Sequence, residues 1–216
     1  MFFKKLDLSH ARKVYVVGDI HGMFSLLEEK LAELGFDKEQ DHLLSVGDLI
    51  DRGPESHLAI EYAQKPWFHF VLGNHEQLAK AHYMGHPGVH VGNGGAWFKE
   101  LDRETQAEHV RILNDAPVIM EVVTPSGRRV GLVHADLPVH DWNHVYDLDE
   151  AFFNQWTEFC LWNRTGMQDI TLDGIKNIDQ VYFGHTPLRA VYRVGNCAWI
   201  DTGACRTGVL TVLEVK

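Results

Sequence analysis

Five short segments of the chain put metal-ligating side chains straight after runs of apolar residues. They are Gly18-Asp19-Ile20-His21-Gly22, the GDLIDRG stretch from Gly47 to Gly53, Gly73-Asn74-His75-Glu76, Val133-His134-Ala135-Asp136 and Phe183-Gly184-His185-Thr186. Buried strands that stop at these points would leave Asp19, His21, Asp48, Asn74, His134 and His185 just beyond strand ends, where open α/β sheets gather their ligands. A lone histidine is usually structural, but that explains this succession badly. Carboxylate, imidazole and amide donors together suit Mn²⁺, Fe or Zn²⁺. Intrinsic affinity rises from Mn²⁺ towards Zn²⁺, so availability would have to select Mn²⁺. Two ions about 3.5–4 Å apart need a bridging carboxylate and share a hydroxide nucleophile. Asp48 is assigned the bridge, Asp19 and His21 the first ion, and Asn74, His134 and His185 the second.

Charge then selects the substrate class. Two dications with Asp19, Asp48 and a hydroxide leave a formal charge of about +1, rising to about +3 with Arg52 and Arg164 facing inward. Such a pocket suits a phosphoryl dianion, and guanidinium groups match its oxygens bidentately. Asn74 is counted with the two arginines as a phosphate-binding group. In-line attack would expel an alkoxide that needs a proton. His75 is placed to supply it, with Asp51 holding the imidazole in its useful orientation. Plainer roles compete for these residues. Arg52 could pair with Glu55, and Asp51 could cap the turn before Gly53-Pro54. Glu76 reads as a helix first-turn acid rather than a ligand. His82, His86 and His90 read as solvated loop residues, and Asp136 and Asp201 as acids that satisfy local backbone.

The elements that must position these groups follow from periodicity. Residues 13–17, 42–46 and 67–72 read as buried strands that end at glycines. Helices are expected over 23–34, with Leu27, Leu31 and Leu34 on one face and Gly35 at its end, and over 56–64, with Leu58 and Tyr62 inward. A third is expected over 75–83, and a fourth over 103–114 with Val110 and Leu113 buried. Residues 84–95, rich in Gly and His, read as a loop. Residues 118–123 and 129–133 read as a hairpin around Pro125-Ser126-Gly127. Residues 180–183, 197–200 and 209–215 close the chain as strands. Residues 136–171, which hold Trp142, Trp156 and Trp162, give no order. Strands that first alternate with helices and then run in succession predict an α/β protein with one mixed sheet or two.

Composition sets the outer bounds. A length of 216 residues predicts one domain over 1–216, and 45% hydrophobic content is ample for its core. The formal net charge of −10 argues against a nucleic-acid partner. Cys160, Cys197 and Cys205 form neither a disulfide framework nor a thiolate zinc site. The opening MFFKKLDLSH lacks a secretory apolar region, and no stretch is long enough to span a membrane, so the expectation is a cytoplasmic protein.

The motif set resembles that of the calcineurin-like metallophosphoesterases, and within them the PPP-type serine/threonine protein phosphatases of the bacterial and bacteriophage lambda branch. The resemblance runs from about Lys13 to the C-terminus. It implies a sandwich of two mixed β-sheets flanked by helices, with two metals between their strand ends. It implies the same ligand set of Asp19, His21, Asp48, Asn74, His134 and His185. It also implies the acid pair His75 and Asp51 and the phosphate arginines Arg52 and Arg164, the latter within Trp162-Asn163-Arg164. Manganese dependence and activity on phosphoserine, phosphothreonine, phosphotyrosine and aryl phosphates of phosphoprotein or small substrates are further implications. Leu137 stands where relatives carry an aromatic, and 141–158 matches weakly. A dinucleoside polyphosphate hydrolase shares the motif set and would need the tryptophans for adenine stacking. A catalytically dead phosphoprotein-binding scaffold would be expected to have lost ligands, and here none is missing.

Overall fold

The computed structural model describes residues 1–170 and 172–216. Among the described residues, ten strands form two sheets. The strands are β1 (Phe3–Asp7), β2 (Val14–Val17), β3 (His42–Ser45), β4 (Phe68–Phe70), β5 (Ile119–Val123), β6 (Arg129–Val133), β7 (Gln180–Phe183), β8 (Tyr192–Val194), β9 (Cys197–Trp199) and β10 (Val212–Glu214). The helices are α1 (Phe24–Glu33), α2 (Ala59–Ala63), α3 (Asn74–Tyr83), α4 (Pro87–Gly92), α5 (Arg103–Asn114), α6 (Asn143–Tyr146), α7 (Phe153–Trp162), α8 (Gly166–Asp169) and α9 (Ala204–Thr207). One sheet has the order β10-β2-β3-β4 and the other β1-β5-β6-β7-β9-β8. Both are mixed: β2, β3 and β4 run parallel with β10 antiparallel, and β6, β7 and β9 run parallel, with β8 antiparallel to β9 and the parallel pair β1 and β5 antiparallel to β6.

The strands alternate between two apolar layers, as a pleated backbone requires. Val14 and Val16 of β2 and Leu44 of β3 meet Met120, Val122, Val130, Leu132 and Ala198 of the other sheet. Their neighbours Tyr15, Val17 and Leu43 join the helix-side layer with Phe24, Leu27 and Leu31 of α1. Strands covered on both faces read as continuous apolar runs, which is why β2 and β3 stand out in the sequence. This two-sheet sandwich with flanking helices is the expected α/β architecture. α1 ends as expected: Gly35 takes a φ of 62°. Its N–H and that of Phe36 return to the carbonyls of Ala32 and Leu31, which stops the helix.

Several expectations need correction. β1 was not anticipated; only Phe3 and Leu6 of FKKLD are apolar, and its order comes from parallel pairing with β5 at the sheet edge. β8 was missed for the same reason, being a three-residue edge strand with Tyr192 and Arg193 exposed. Residues 84–95 are not all loop, because Pro87 starts the short helix α4. On α5 the buried residues are His109 and Leu113, and Val110 is only half-buried, as is Leu58. The last strand is shorter than 209–215. The stretch 136–170 holds α6, α7 and α8; Thr171 lies outside the described residues. Among the described residues, no helix is long and apolar enough to cross a membrane.

Candidate metal centre

The carboxyl ends of β2, β3, β4, β6, β7 and β9 deliver the motif residues to one place. Ile20 and His21 N–H donate to the Asp48 carbonyl at 3.1 and 2.9 Å, which ties the first two motifs together. Gly184 N–H donates to the His134 carbonyl at 2.7 Å, which ties the last two. His134 Nδ1 then lies 2.8 Å from the Val46 carbonyl, across the two sheets. Both oxygens of Asp19 accept the His185 N–H at 3.1 Å, although the residues are 166 positions apart.

Asp48 sits at the middle. Its Oδ2 is 3.5 Å from His21 Nε2 and 3.9 Å from His75 Nε2, and its Oδ1 is 3.4 Å from His134 Nε2. Two groups of ligand-type atoms, each within 4.8 Å of one another, overlap at this residue: His21, Asp48 and His75, and Asp48, His134 and His185. Asp19 Oδ2 is 4.0 Å from His21 Nε2. Asn74 Oδ1 lies 2.9 Å from His134 Nε2 and 3.0 Å from His185 Nδ1. All six ligand candidates named from the sequence therefore meet, and all are buried.

The rings of His21 and His134 are held with Nε2 inward. A carbonyl can only accept, so His21 Nδ1–H donates to Ile50 O at 2.8 Å and His134 Nδ1–H donates to Val46 O. Each ring thereby turns its Nε2 to the centre, the arrangement of a histidine ligand fixed by a partner behind it; that of His21 faces the Arg52 donor, and that of His134 faces the acceptors Asn74 Oδ1 and Asp48 Oδ1 and would give up its proton to a cation. His185 Nε2 is buried with no hydrogen-bond partner among the described residues. The ring turns Nδ1 to the centre, and with Asp48 and His134 it forms one of the two ligand groups, a nitrogen and oxygen donor set that a cation would satisfy.

The charge pattern agrees. Burial pushes the Asp19 carboxyl well above the ordinary range, and Asp201 and Asp48 push it further. Asp48 is also penalised by burial, but His134, His75 and His21 hold it far below that range. Asp201, expected only to satisfy backbone, does accept the Gly203 N–H at 2.8 Å. It also lies in the same field, raised by burial and by Asp48. Three buried carboxylates facing one point repel one another, and dications would relieve that repulsion. The donor set thus fits two divalent cations of the oxygen- and nitrogen-binding kind.

The backbone is bent to make this convergence. Among the described residues, six non-glycine residues have a φ between 45° and 72°, and five of them are His21, Asp48, Asp51, Arg52 and His185. Such left-handed conformations are costly for L-residues and persist where surroundings enforce them. Glu76 is part of that enforcement. It occupies the first turn of α3, as expected, but its role is larger. Its Oε2 accepts the Gly73 and Asp48 N–H at 2.9 and 3.1 Å, and its Oε1 accepts the Leu49 N–H at 2.8 Å. Burial, then Asp48, pushes its carboxyl up to about 7. Gly73 cannot be larger, because a Cβ there would lie 2.3 Å from Asp48 Oδ1.

A family model described as calcineurin-like phosphoesterase matches residues 12–200. The chain belongs to that family. It is 39% identical over 220 residues to serine/threonine-protein phosphatase 1 of Salmonella typhimurium, covering 99% of this chain and 97% of the relative. It is 33% identical over 222 residues to serine/threonine-protein phosphatase 2 of Escherichia coli, covering 99% and 98%. A symmetrical bis(5'-nucleosyl)-tetraphosphatase of Hamiltonella defensa is 47% identical over 73 residues, a third of this chain and 26% of the relative. Solved structures give the same fold. A putative diadenosine tetraphosphatase superimposes with a TM-score of 0.67 at 22% identity, covering 99% and 97%. A serine/threonine phosphatase of Saccharomyces cerevisiae does so with 0.62 at 14% identity, covering 93% and 70%.

The remaining candidates of this phosphoesterase line the rim. Arg52 extends over the centre, with Nη1 2.6 Å from His21 Nε2 and Nη2 2.8 Å from His75 Nε2. Glu55 is not its partner; that carboxylate accepts the Ser25 N–H at 2.8 Å and the Ser25 hydroxyl. Arg164, after α7, donates to the His185 carbonyl at 3.2 Å and so reaches the same rim. His75 Nδ1 lies 2.6 Å from Asp51 Oδ2, and Asp51 is fully buried rather than a turn cap. Burial opposes a charged His75, but Asp48 and Asp51 outweigh it and raise its pKa. Asp136 stays local, accepting the Leu137 N–H at 2.7 Å and an Asn163 amide.

Two neighbours were misread or missed. His90 is not a solvated loop residue: it is completely buried, with Nε2 3.0 Å from Asp51 Oδ1. Trp97 Nε1 donates to the same oxygen at 2.8 Å. His82 is half-buried and only His86 of the three is exposed. Neither His90 nor Trp97 lies in an apolar period or follows a strand, so the sequence carries no signal that separates them from loop.

Proposed function

We propose that this chain is a single-domain, two-metal phosphomonoesterase that hydrolyses phosphoserine and phosphothreonine in proteins and accepts phosphotyrosine. The observation that carries this reading is Asp48, shared by two ligand clusters, with Arg52 and His75 facing it. Asp19, His21 and Asp48 would hold one ion, and Asp48, Asn74, His134 and His185 the other, Mn²⁺ being our choice of metal. Bound there, the ions supply an activated water and neutralise phosphoryl charge. Arg52, Arg164 and Asn74 orient the phosphoryl oxygens. Asp51 keeps His75 Nδ1–H engaged, so the proton on Nε2 of the charged ring points to the leaving oxygen.

Similarity over the full length to two serine/threonine-protein phosphatases supports a phosphoprotein substrate over a dinucleoside polyphosphate. Trp142 is completely buried and donates to Glu121, so it offers no face to adenine. Trp162 alone is both exposed and near the centre, its ring 6.3 Å from that of His185. The acidic net charge supports a partner other than nucleic acid, and the three free cysteines support a reducing, cytoplasmic location. The test has two parts. Anomalous scattering at the Mn edge should place two ions about Asp48. A parallel assay should show a phosphothreonine peptide cleaved faster than diadenosine tetraphosphate; dominant nucleotide cleavage would overturn the substrate assignment.

A further inference from the structure

The acid pair is backed by a second histidine that nothing in the reaction above uses. α4 lies at the surface, with Pro87, Gly88 and Val89 exposed, yet it buries His90 completely. An apolar side chain would fill that place against Phe98 without desolvating two ring nitrogens. The imidazole is therefore explained by its hydrogen bonds. Asp51 Oδ1 receives His90 Nε2 at 3.0 Å and Trp97 Nε1 at 2.8 Å, while Oδ2 faces His75 Nδ1 at 2.6 Å.

Proton accounting fixes the direction of the bonds to Asp51. A carboxylate only accepts, so His90 carries its hydrogen on Nε2. With its hydrogen on Nε2, the ring keeps a lone pair on Nδ1, and His82 Nδ1, 2.8 Å away, is placed to donate to it. Two donors on Oδ1 prevent the carboxylate from rotating about its Cβ–Cγ bond. Gly95 leaves room for this ring: a Cβ there would stand 2.3 Å from His90 Nε2 and Cδ2.

We propose that His90 is a positioning residue for proton delivery, holding the Asp51 carboxylate so that Oδ2 stays on His75, with His82 fixing the His90 tautomer. The inference rests on the general-acid reading of His75, and the test separates the two. An alkoxide leaving group needs a proton, whereas p-nitrophenolate leaves without one. In Mn²⁺-loaded enzyme, His90→Leu should lower kcat on a phosphothreonine peptide about 10–100-fold, the usual cost of losing an outer partner. On p-nitrophenyl phosphate the loss should stay within about 3-fold, with KM unchanged on both. His90→Gln, which keeps an N–H donor, should recover most of the peptide rate.

Gly95→Ala supplies an independent variant should His90→Leu not fold. The backbone at Gly95 is not in the left-handed region, and the three atoms nearest an added Cβ all belong to the His90 ring, so alanine there displaces that ring. The same substrate split is expected. Equal losses on both substrates, or none, in the folded variants would overturn the role of His90. His75→Asn is the benchmark. If it splits the substrates and the His90 and Gly95 variants do not, the positioning role fails alone. If it shows no split, the acid reading fails and the role of His90 falls with it.

Discussion

Asparagine at position 75 would remove the imidazole that Asp51 holds while sparing the side chains of Asp19, His21, Asp48, Asn74, His134 and His185. His75→Asn should therefore keep its metal content and lose about 10²–10⁴ in rate on a phosphothreonine peptide, the substrate whose leaving group needs a proton and the one on which the rate is judged. Metal analysis beside kcat checks both halves; a near-normal rate would remove His75 from the reaction. Asp48→Asn is the opposite case. Asp48 belongs to both ligand clusters, so its loss should lower occupancy of both ions together. Titration of the variant with Mn²⁺ should show no site that fills as in the wild type, and two full-occupancy ions would contradict the bridge. At this scale the sequence was readable wherever a polar residue followed an apolar strand, because that junction is itself the signal. It was silent for His90, whose purpose depends on a residue 39 positions away.

Among the elements, strands covered on both faces were the legible ones. β2 and β3 carry four consecutive residues each, nearly all buried, and announce themselves as apolar runs. β1 does not, because an edge strand with two lysines outward has no such run. The pairing of β3 with β4 carries a pH-dependent term. His42 Nδ1 and His69 Nε2 are 3.0 Å apart with stacked rings, so one nitrogen must stay unprotonated to accept. Burial, then His42 and Lys4, lowers the His69 pKa to about 4. Burial lowers that of His42 too. A histidine with a depressed folded pKa favours the native state fully above its unfolded value of about 6.5, and that contribution is lost as pH falls towards the folded value. Urea midpoints of chelated protein should drop between pH 6.5 and 4, and His69→Gln should flatten that limb. An unchanged slope in the variant would assign the acid sensitivity elsewhere.

For the molecule as a whole, the metal centre is also a matter of stability. A single site held at a hundred times its Kd adds about 2.7 kcal/mol to the native state. In a chain of this length that corresponds to roughly 5–10 °C in Tm. Chelation should lower the melting temperature by at least this amount and Mn²⁺ should restore it; coincident melts with and without chelator would argue that no ion is bound. The whole-molecule layout was legible only in class. Alternating helices and strands gave an α/β protein, but which strands share a sheet depends on long-range pairing, such as β10 beside β2, that no local pattern carries.

The hydrogen bond from His134 to the Val46 carbonyl has a mechanical side. Val46 follows β3 in one sheet and His134 follows β6 in the other, and His134 also reaches Asp48 and Asn74. The centre works as a rivet through both plates of the sandwich. Pulled apart, the metal-loaded protein would give way in a single event, whereas without its ions each plate could open on its own schedule.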